Sequence, residues 1–243
     1  MKFSIIINTH NQTHHIHKSI ISCINQKYKN FEIIVVDSSK KRISQKNIRK
    51  YKSKHFNFKY IFIRSIAFPE MDQMNKVEVG LKNSIGKYIL LLDGDDELNI
   101  NKLVKINELI NKKNIFCNQD RPTIVFKHKK GNQEIKSYKY NFFYKFFVND
   151  WPEVYGTSTI VVRRDLILNF FKNTNPYSWK LLAIDAQLIL FCKIHYILSF
   201  EFNELTYKNI HDRNNETKYR NLFKKKYWQR RNMQHQYLYS INK

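Results

Sequence analysis

Three features of this chain predict an α/β fold, with a mainly parallel sheet held between layers of helices. Short apolar runs end abruptly in polar or acidic residues: Ser4–Ile7 before the stretch NTHN, Phe31–Asp37, and Lys87–Asp93. The runs are continuous rather than alternating, the pattern of strands buried on both faces. Between them lie stretches of helical spacing, and strand–helix–strand units of this length are right-handed crossovers joining parallel strands.

Each element follows in order. After the first strand, Ile16, Ile20, Cys23, Ile24 and Lys27 step by three and four, as one face of a helix does. Phe31–Asp37 is the second strand and Lys59–Ile63 the third. Met71–Ser84 has a helical pattern that Gly86 stops, and Lys87–Asp93 is the fourth strand. Asn101 to Asn111 is helical. Beyond Arg121 the pattern loosens. Thr123–Lys127 and Thr157–Arg164 are expected as strands, HKKGNQEIKSY as a polar loop or hairpin, and Asp165–Phe171 and Trp179–His195 as helical. SFEFNELTY alternates like a strand, and Glu216–Ile241 is a basic helix without Gly or Pro. The organisation expected is one domain over 1–215, with a first half 1–115 and a second half 116–215, followed by the helix 216–243.

Composition narrows the class. Eighteen Phe, fifteen Tyr and three Trp in 243 residues exclude a disordered chain, and five Gly with four Pro exclude collagen-like repeats. Three cysteines with no CxxC pair argue against a disulfide framework or a cysteine zinc site, and suit a reducing cytosol. The N-terminal apolar stretch is too short for a signal peptide. Leu181–Phe200 is long enough to span a bilayer but carries Asp185, Gln187, Lys193 and His195, so a buried helix running into a strand is expected and the protein is expected in the cytoplasm. The formal net charge of +23 suits an anionic partner (nucleic acid, anionic lipid or a phosphorylated substrate) or reflects lysines abundant throughout the chain, and does not by itself choose between them.

Acids are scarce here, yet Asp93, Asp95, Asp96 and Glu97 fall within five positions at a strand end. Ligands of open parallel sheets bind beyond the carboxyl ends of the strands, and Asp37 ends its own strand the same way. Clustered carboxylates repel unless a cation lies between them. A hard ion, Mg²⁺ or Mn²⁺, takes one or two carboxylates together with phosphates and water. An acidic cluster is a poor surface for a phosphate polymer without such an ion, so a nucleic-acid partner is not expected.

Two blocks carry a resemblance. SCINQKYKNFEIIVVDSSK, Ser22 to Lys40, and GLKNSIGKYILLLDGDDEL, Gly80 to Leu98, resemble the conserved segments of family 2 glycosyltransferases with the GT-A fold, a mixed, mainly parallel, Rossmann-like sheet flanked by helices. The resemblance covers about the first 110 residues closely. The second half is similar more loosely, through GTSTIVVRRDLI, through AIDAQLILF with Asp185 at the family's acid, and through Tyr207, His211 and Asn214. It implies inverting transfer of a sugar from a nucleoside diphosphate, expected to be UDP, to a glycan or glycolipid hydroxyl in surface polysaccharide synthesis. By the same resemblance Thr9, His10, Asn11 and Asp37 hold base and ribose, Asp93 and Asp95 form the D-x-D pair, and Asp95, Asp96 and His211 meet the metal. Asp185 is the catalytic base, with Glu153 and Glu204 in reserve. Asn8 and His10 stand where the family has Pro and an aromatic residue. KVEVG, Lys76 to Gly80, stands where members often show A-R-N-x-G, which leaves Lys76 as the substitute for a diphosphate-binding arginine. A catalytically degenerate sugar-nucleotide-binding or scaffold protein is the alternative that these departures allow.

The basic segment Lys218–Lys243 has two readings of its own. Its apolar stripe, Tyr219, Leu222, Phe223, Tyr227, Leu238 and Ile241, suits the surface of an anionic membrane or the flank of its own domain, and polar Gln234 interrupts it.

Overall fold

The computed structural model describes residues 2–12, 15–55, 57–127, 133–137, 154–195, 197–210 and 224–242. In chain order these form β1 (Phe3–Thr9), α1 (Ile16–Ile24), β2 (Phe31–Asp37), α2 (Gln45–Lys54), β3 (Phe58–Phe62), α3 (Pro69–Lys82), β4 (Tyr88–Asp93) and β5 (Glu97–Leu98). There follow α4 (Lys102–Lys113), β6 (Cys117–Lys127), β7 (Gln133–Ser137), β8 (Ile160–Arg163), α5 (Arg164–Asn173), α6 (Ile184–Ile194), β9 (Leu198–Ile210) and α7 (Lys225–Ile241).

The sheet runs β3-β2-β1-β4-β8-β6-β9-β5, with β7 beside β6. Its first four strands are parallel, β8 enters antiparallel to β4, and β9 lies parallel to β6. This is the mixed α/β sheet flanked by helices that the sequence predicts.

The period of two along each strand explains both helical layers. Ile5, Ile7, Ile33, Val35, Leu90 and Leu92 face α1 and α4, meeting Ile16, Ile20, Leu103 and Ile106. Ile6, Ile89, Leu91 and Val162 face the opposite layer, meeting Met74, Val77 and Leu81 of α3 and Leu188 and Ile189 of α6. Gly80 is fixed by this packing, since a Cβ there would lie 2.5 Å from Ile6 Cγ2. Pro69 opens α3 at a position where no intrahelical N–H is needed, and Glu70 and Asp72 complement the helix dipole.

Four features depart from the sequence reading, the first being a helix it did not contain. Helix α2 is made of QKNIRKYKSK, in which only Ile48 and Tyr51 are buried, so it carries almost no apolar period. Strand β6 starts at Cys117 rather than Thr123, and its ladder with β9 slips around Arg121 and Pro122, where proline has no N–H to donate. Thr157–Thr159 form a 3₁₀ turn before the strand, and α6 begins at Ile184 rather than Trp179.

Over its described residues the C-terminal helix packs on the domain, while Tyr219, Leu222 and Phe223 lie outside the described residues. Tyr237 is fully buried against Leu182 and Leu190, with Trp179, Met233, Leu238 and Ile241 around it. Its hydroxyl donates to the carbonyl of Gln187 at 3.0 Å. Gln234 lies inside the packed face and accepts from Arg231 at 3.4 Å. Among the described residues no helix is long and apolar enough to cross a membrane.

Candidate active site

Parallel pairing sets Thr9 opposite Asp37 and Asn8 opposite Asp93, so the ends of β1, β2 and β4 form one rim. A cleft of about 1200 Å³ opens over it, lined among others by His10, Asn11, Asp93, Asp95, Asp96 and Asp185. It lies where the strand order reverses, β1 leading outward to β2 and β3 on one side and the chain returning from β3 to β4 on the other, the usual ligand position in such sheets.

One wall is the loop after β1, stitched to the loop after β2. Asn11 adopts a left-handed conformation at φ 55°, tolerable for asparagine. Its N–H donates to Ser39 Oγ at 2.7 Å and its Oδ1 accepts from the Lys40 N–H at 3.0 Å. His10 Nδ1 donates to the Ser38 carbonyl at 3.0 Å, and its Nε2 accepts from Asn11 Nδ2 at 2.9 Å. The ring is thereby fixed at the cleft surface.

Thr9 and Asp37 lie under that surface. Thr9 donates to Gln12 Oε1 at 3.2 Å, and both atoms crowd Gly94, where a Cβ would come within 2.7 Å of each. Asp37 is 1% exposed, accepting from the Ser39 N–H at 2.8 Å and from the Tyr60 hydroxyl at 2.6 Å. Burial, and next the neighbouring carboxylate, hold the Tyr60 phenol well above its usual range. In this arrangement Asp37 shapes the loop that carries Ser38 and Ser39.

Lys76 is buried as well. Its ammonium donates to Asp72 Oδ2 at 2.7 Å, to Ser38 Oγ at 3.2 Å and to the Thr9 carbonyl at 3.3 Å. Three protons meet three internal acceptors. Burial pulls its pKa down, and the Asp72 charge opposes that pull. The lysine at the family's arginine position thus ties α3 to the loops rather than offering an unshared ammonium to the cleft.

The acidic turn is gripped from both sides. At one end Asp93 Oδ1 accepts from Asn8 Nδ2 and Gln73 Nε2, each at 2.9 Å. At the other, β5 pairs with β9. Ser158 clamps the middle: its Oγ accepts from the Asp93 N–H at 3.0 Å and donates to Asp96 Oδ2 at 2.6 Å. Asp96 Oδ1 accepts from the Asn209 N–H at 2.9 Å, and Asn209 Nδ2 donates to the Asp95 carbonyl at 2.6 Å. Beneath Ser158 lies a buried ion pair, Lys102 to Asp120 at 2.6 Å, both side chains fully inaccessible. Lys102 also donates to the Ser158 carbonyl at 2.9 Å and to Thr206 Oγ1 at 2.6 Å. Sequence reasoning missed Ser158, Lys102, Asp120, Thr206 and Asn209.

Burial, then Asp95 and Asp185, raise the Asp93 carboxyl to about 6. Burial, then Asp95 and Asp93, push Asp96 well above the carboxylate range. The charge of Asp185, at the start of α6 and lining the cleft, therefore reaches the turn. Glu204 accepts from Thr123 Oγ1 at 2.5 Å. His211, Asn214 and Glu153 lie outside the described residues.

Among the described residues no three His, Cys, Asp or Glu side chains are disposed to hold a metal by themselves. The donor set nonetheless fits a hard divalent ion that brings phosphate and water ligands, since such an ion needs only one or two carboxylates. Mutually destabilised carboxylates lining an open cleft are what a cation relieves.

The profile of glycosyl transferase family 2 matches residues 4–171. An uncharacterized glycosyltransferase of Haemophilus influenzae is 31% identical over 102 residues, which are 42% of this chain and 39% of that one. Another, of Rickettsia bellii, is 37% identical over 103 residues, 42% of this chain and 14% of that one. The chain thus spans well under half the length of these relatives. Among solved structures, Staphylococcus aureus TarS 1–349 in complex with UDP aligns with TM-score 0.66 at 20% identity, over 86% of this chain and 61% of that one. The mannosyltransferase PcManGT of Pyrobaculum calidifontis, in complex with GDP-Man and Mn²⁺, aligns with TM-score 0.60 at 11% identity, over 89% and 59%. These likenesses show a shared fold.

Proposed function

The chain belongs to glycosyl transferase family 2, and from that premise we propose that it transfers a sugar, with inversion, from a nucleoside diphosphate to a hydroxyl of a glycan or glycolipid acceptor. The observation that carries the reading is the meeting of Asp93, Asp95 and Asp185 around one cleft at the strand ends. UDP is the favoured nucleotide, supported by the complexes of TarS with UDP and with UDP-GlcNAc. Synthesis of a surface polysaccharide at the cytoplasmic face of a membrane is the setting proposed, with the basic C-terminal helix at that surface.

Roles follow from chemistry. Asp185 takes the acceptor proton as the acceptor oxygen attacks the sugar C1. The bond from C1 to the diphosphate oxygen breaks, and its electron pair leaves with the diphosphate. Asp95, with Asp93, would hold a Mg²⁺ or Mn²⁺ ion, which as a Lewis acid stabilises charge on the leaving group. Asp96, engaged by Ser158 and the Asn209 N–H, positions that turn. His10 and Asn11 offer an imidazole and an amide to the base and ribose.

A thermal-shift panel of nucleotide sugars with and without Mn²⁺ tests the reading, since the true donor stabilises the folded state by mass action. Release of nucleoside diphosphate in the presence of that donor is the second readout. Activity that survives Asp95→Ala and Asp96→Ala together would refute the site.

A further inference from the structure

The leaving diphosphate needs fixed positive charge, and Lys76 is engaged with Asp72, Ser38 and Thr9. Arg42 lies over the Phe62 ring at 4.3 Å, at the end of β3. That is three strand spacings, roughly 14 Å, from the end of β4 and the acidic turn. Two other cations line the cleft from elements late in the chain, Lys208 and Arg230. Lys208 on β9 lies beside Gly156, where a Cβ would be 2.7 Å from its ammonium, and it donates to the Tyr155 carbonyl at 3.5 Å. Its charge reaches Asp96, whose carboxyl it lowers against the effect of burial.

Arg230 is delivered by α7. Tyr237 of that helix is bonded to Gln187, and Met233, one turn earlier, accepts from the Leu181 N–H at 3.4 Å. Stepping back along α7 therefore steps back along the neighbouring chain, past the start of α6. Arg230 is one turn further, toward the end where Ala183 and Asp185 line the cleft. Resting on the glycosyltransferase reading, we propose that Lys208 and Arg230 receive the two phosphates of the donor, so that the C-terminal helix completes the donor site. The guanidinium fork suits two phosphate oxygens at once, and the ammonium acts as a point charge.

Titration calorimetry with UDP, UMP and uridine separates charge recognition from base recognition. Arg230→Gln and Lys208→Gln are each expected to weaken UDP binding about tenfold, equivalent to about 1.4 kcal/mol, and to leave uridine binding within about twofold of wild type. UMP should lose less than UDP, Arg230→Lys should recover part of the loss, and the exposed Lys225→Gln on the same helix should bind UDP as wild type does. Unaltered UDP affinity in both glutamine variants, or equal losses for UDP and uridine, would overturn the assignment. Wild-type protein that binds none of the three would instead overturn the donor reading on which it rests. Thermal unfolding of each variant identifies any loss that comes from misfolding.

Discussion

Ser158 shows how single side chains divide between holding the site and doing its chemistry. Its hydroxyl is the only donor described to Asp96 Oδ2 and also accepts from the Asp93 N–H. Ser158→Ala leaves a buried carboxylate oxygen and a partly buried N–H without that partner, a loss of about 1–3 kcal/mol that urea unfolding will measure. Asp95→Asn acts in the opposite sense. It removes a charge that destabilises both Asp93 and Asp96, so the variant should unfold no sooner than wild type. Its transfer rate should nevertheless fall by about a hundredfold or more, as expected when charge stabilisation of a leaving group is lost. Asp185→Asn should lower kcat by about a hundredfold while UDP affinity, read by calorimetry, stays put. Asp93 was legible because it ends an apolar run, Asp95 because it falls in the acidic cluster just after it, and Asp185 only through resemblance to the family's acid. Ser158, Lys102, Asp120 and Thr206 were not, because four separate segments supply them, the turn before β8, α4, β6 and β9, and only the fold brings these together. The roles of Asp37 and Lys76 were obscured for a related reason: Tyr60, Ser38 and Asp72, which engage them, form no motif with them.

At the scale of elements, strands β1, β2 and β4 announced themselves through uninterrupted apolar runs, and α2 stayed hidden because two buried residues make no period. Helix α2 is instead capped by Ser44, whose hydroxyl accepts from the Asn47 N–H at 3.3 Å. One buried acid inside the β2 run also escaped notice. Glu32 accepts from Ser4 Oγ at 2.7 Å, from the Ile85 N–H at 2.7 Å and from Lys59 Nζ at 3.0 Å, joining β1, β2, β3 and the turn before β4. Burial alone would raise its pKa, but the Ser4, Ile85 and Lys59 bonds outweigh burial and hold it below the usual carboxylate range. A carboxyl depressed in the folded state stabilises the protein above its unfolded pKa, and that contribution disappears as pH falls through the folded value. Glu32→Gln should therefore be less stable than wild type at pH 7, and the difference should shrink progressively below about pH 4.5. Urea midpoints of the two proteins across that range test it. A gap that does not change with pH would show that Glu32 contributes through shape rather than charge.

For the molecule as a whole, the +23 charge and the docking of α7 bear on one question, whether the protein meets an anionic surface. The inner face of the helix is committed to the domain through Tyr237, so a membrane can meet only the outer face. That face is suited to it. Trp228 is 61% exposed and Tyr239 70%, and eleven residues, close to three full turns, put them on one side of the helix. Lys224, Lys225 and Lys226 are exposed at its start. Amphipathic rings at headgroup depth and lysines against anionic lipid are favourable together, with about 1 kcal/mol expected per lysine near the surface. The helix can lie on a bilayer without leaving its domain, which would hold the cleft beside a lipid-linked acceptor. Co-sedimentation is expected with vesicles containing phosphatidylglycerol and not with pure phosphatidylcholine, and added salt should weaken it as the charges are screened. Trp228→Ala with Tyr239→Ala should release the protein from those vesicles while UDP affinity, set by the cleft on the other side of the helix, stays unchanged. Vesicle binding indifferent to both substitutions and to Lys225→Gln would transfer the contact to the basic surface elsewhere and leave α7 as packing alone.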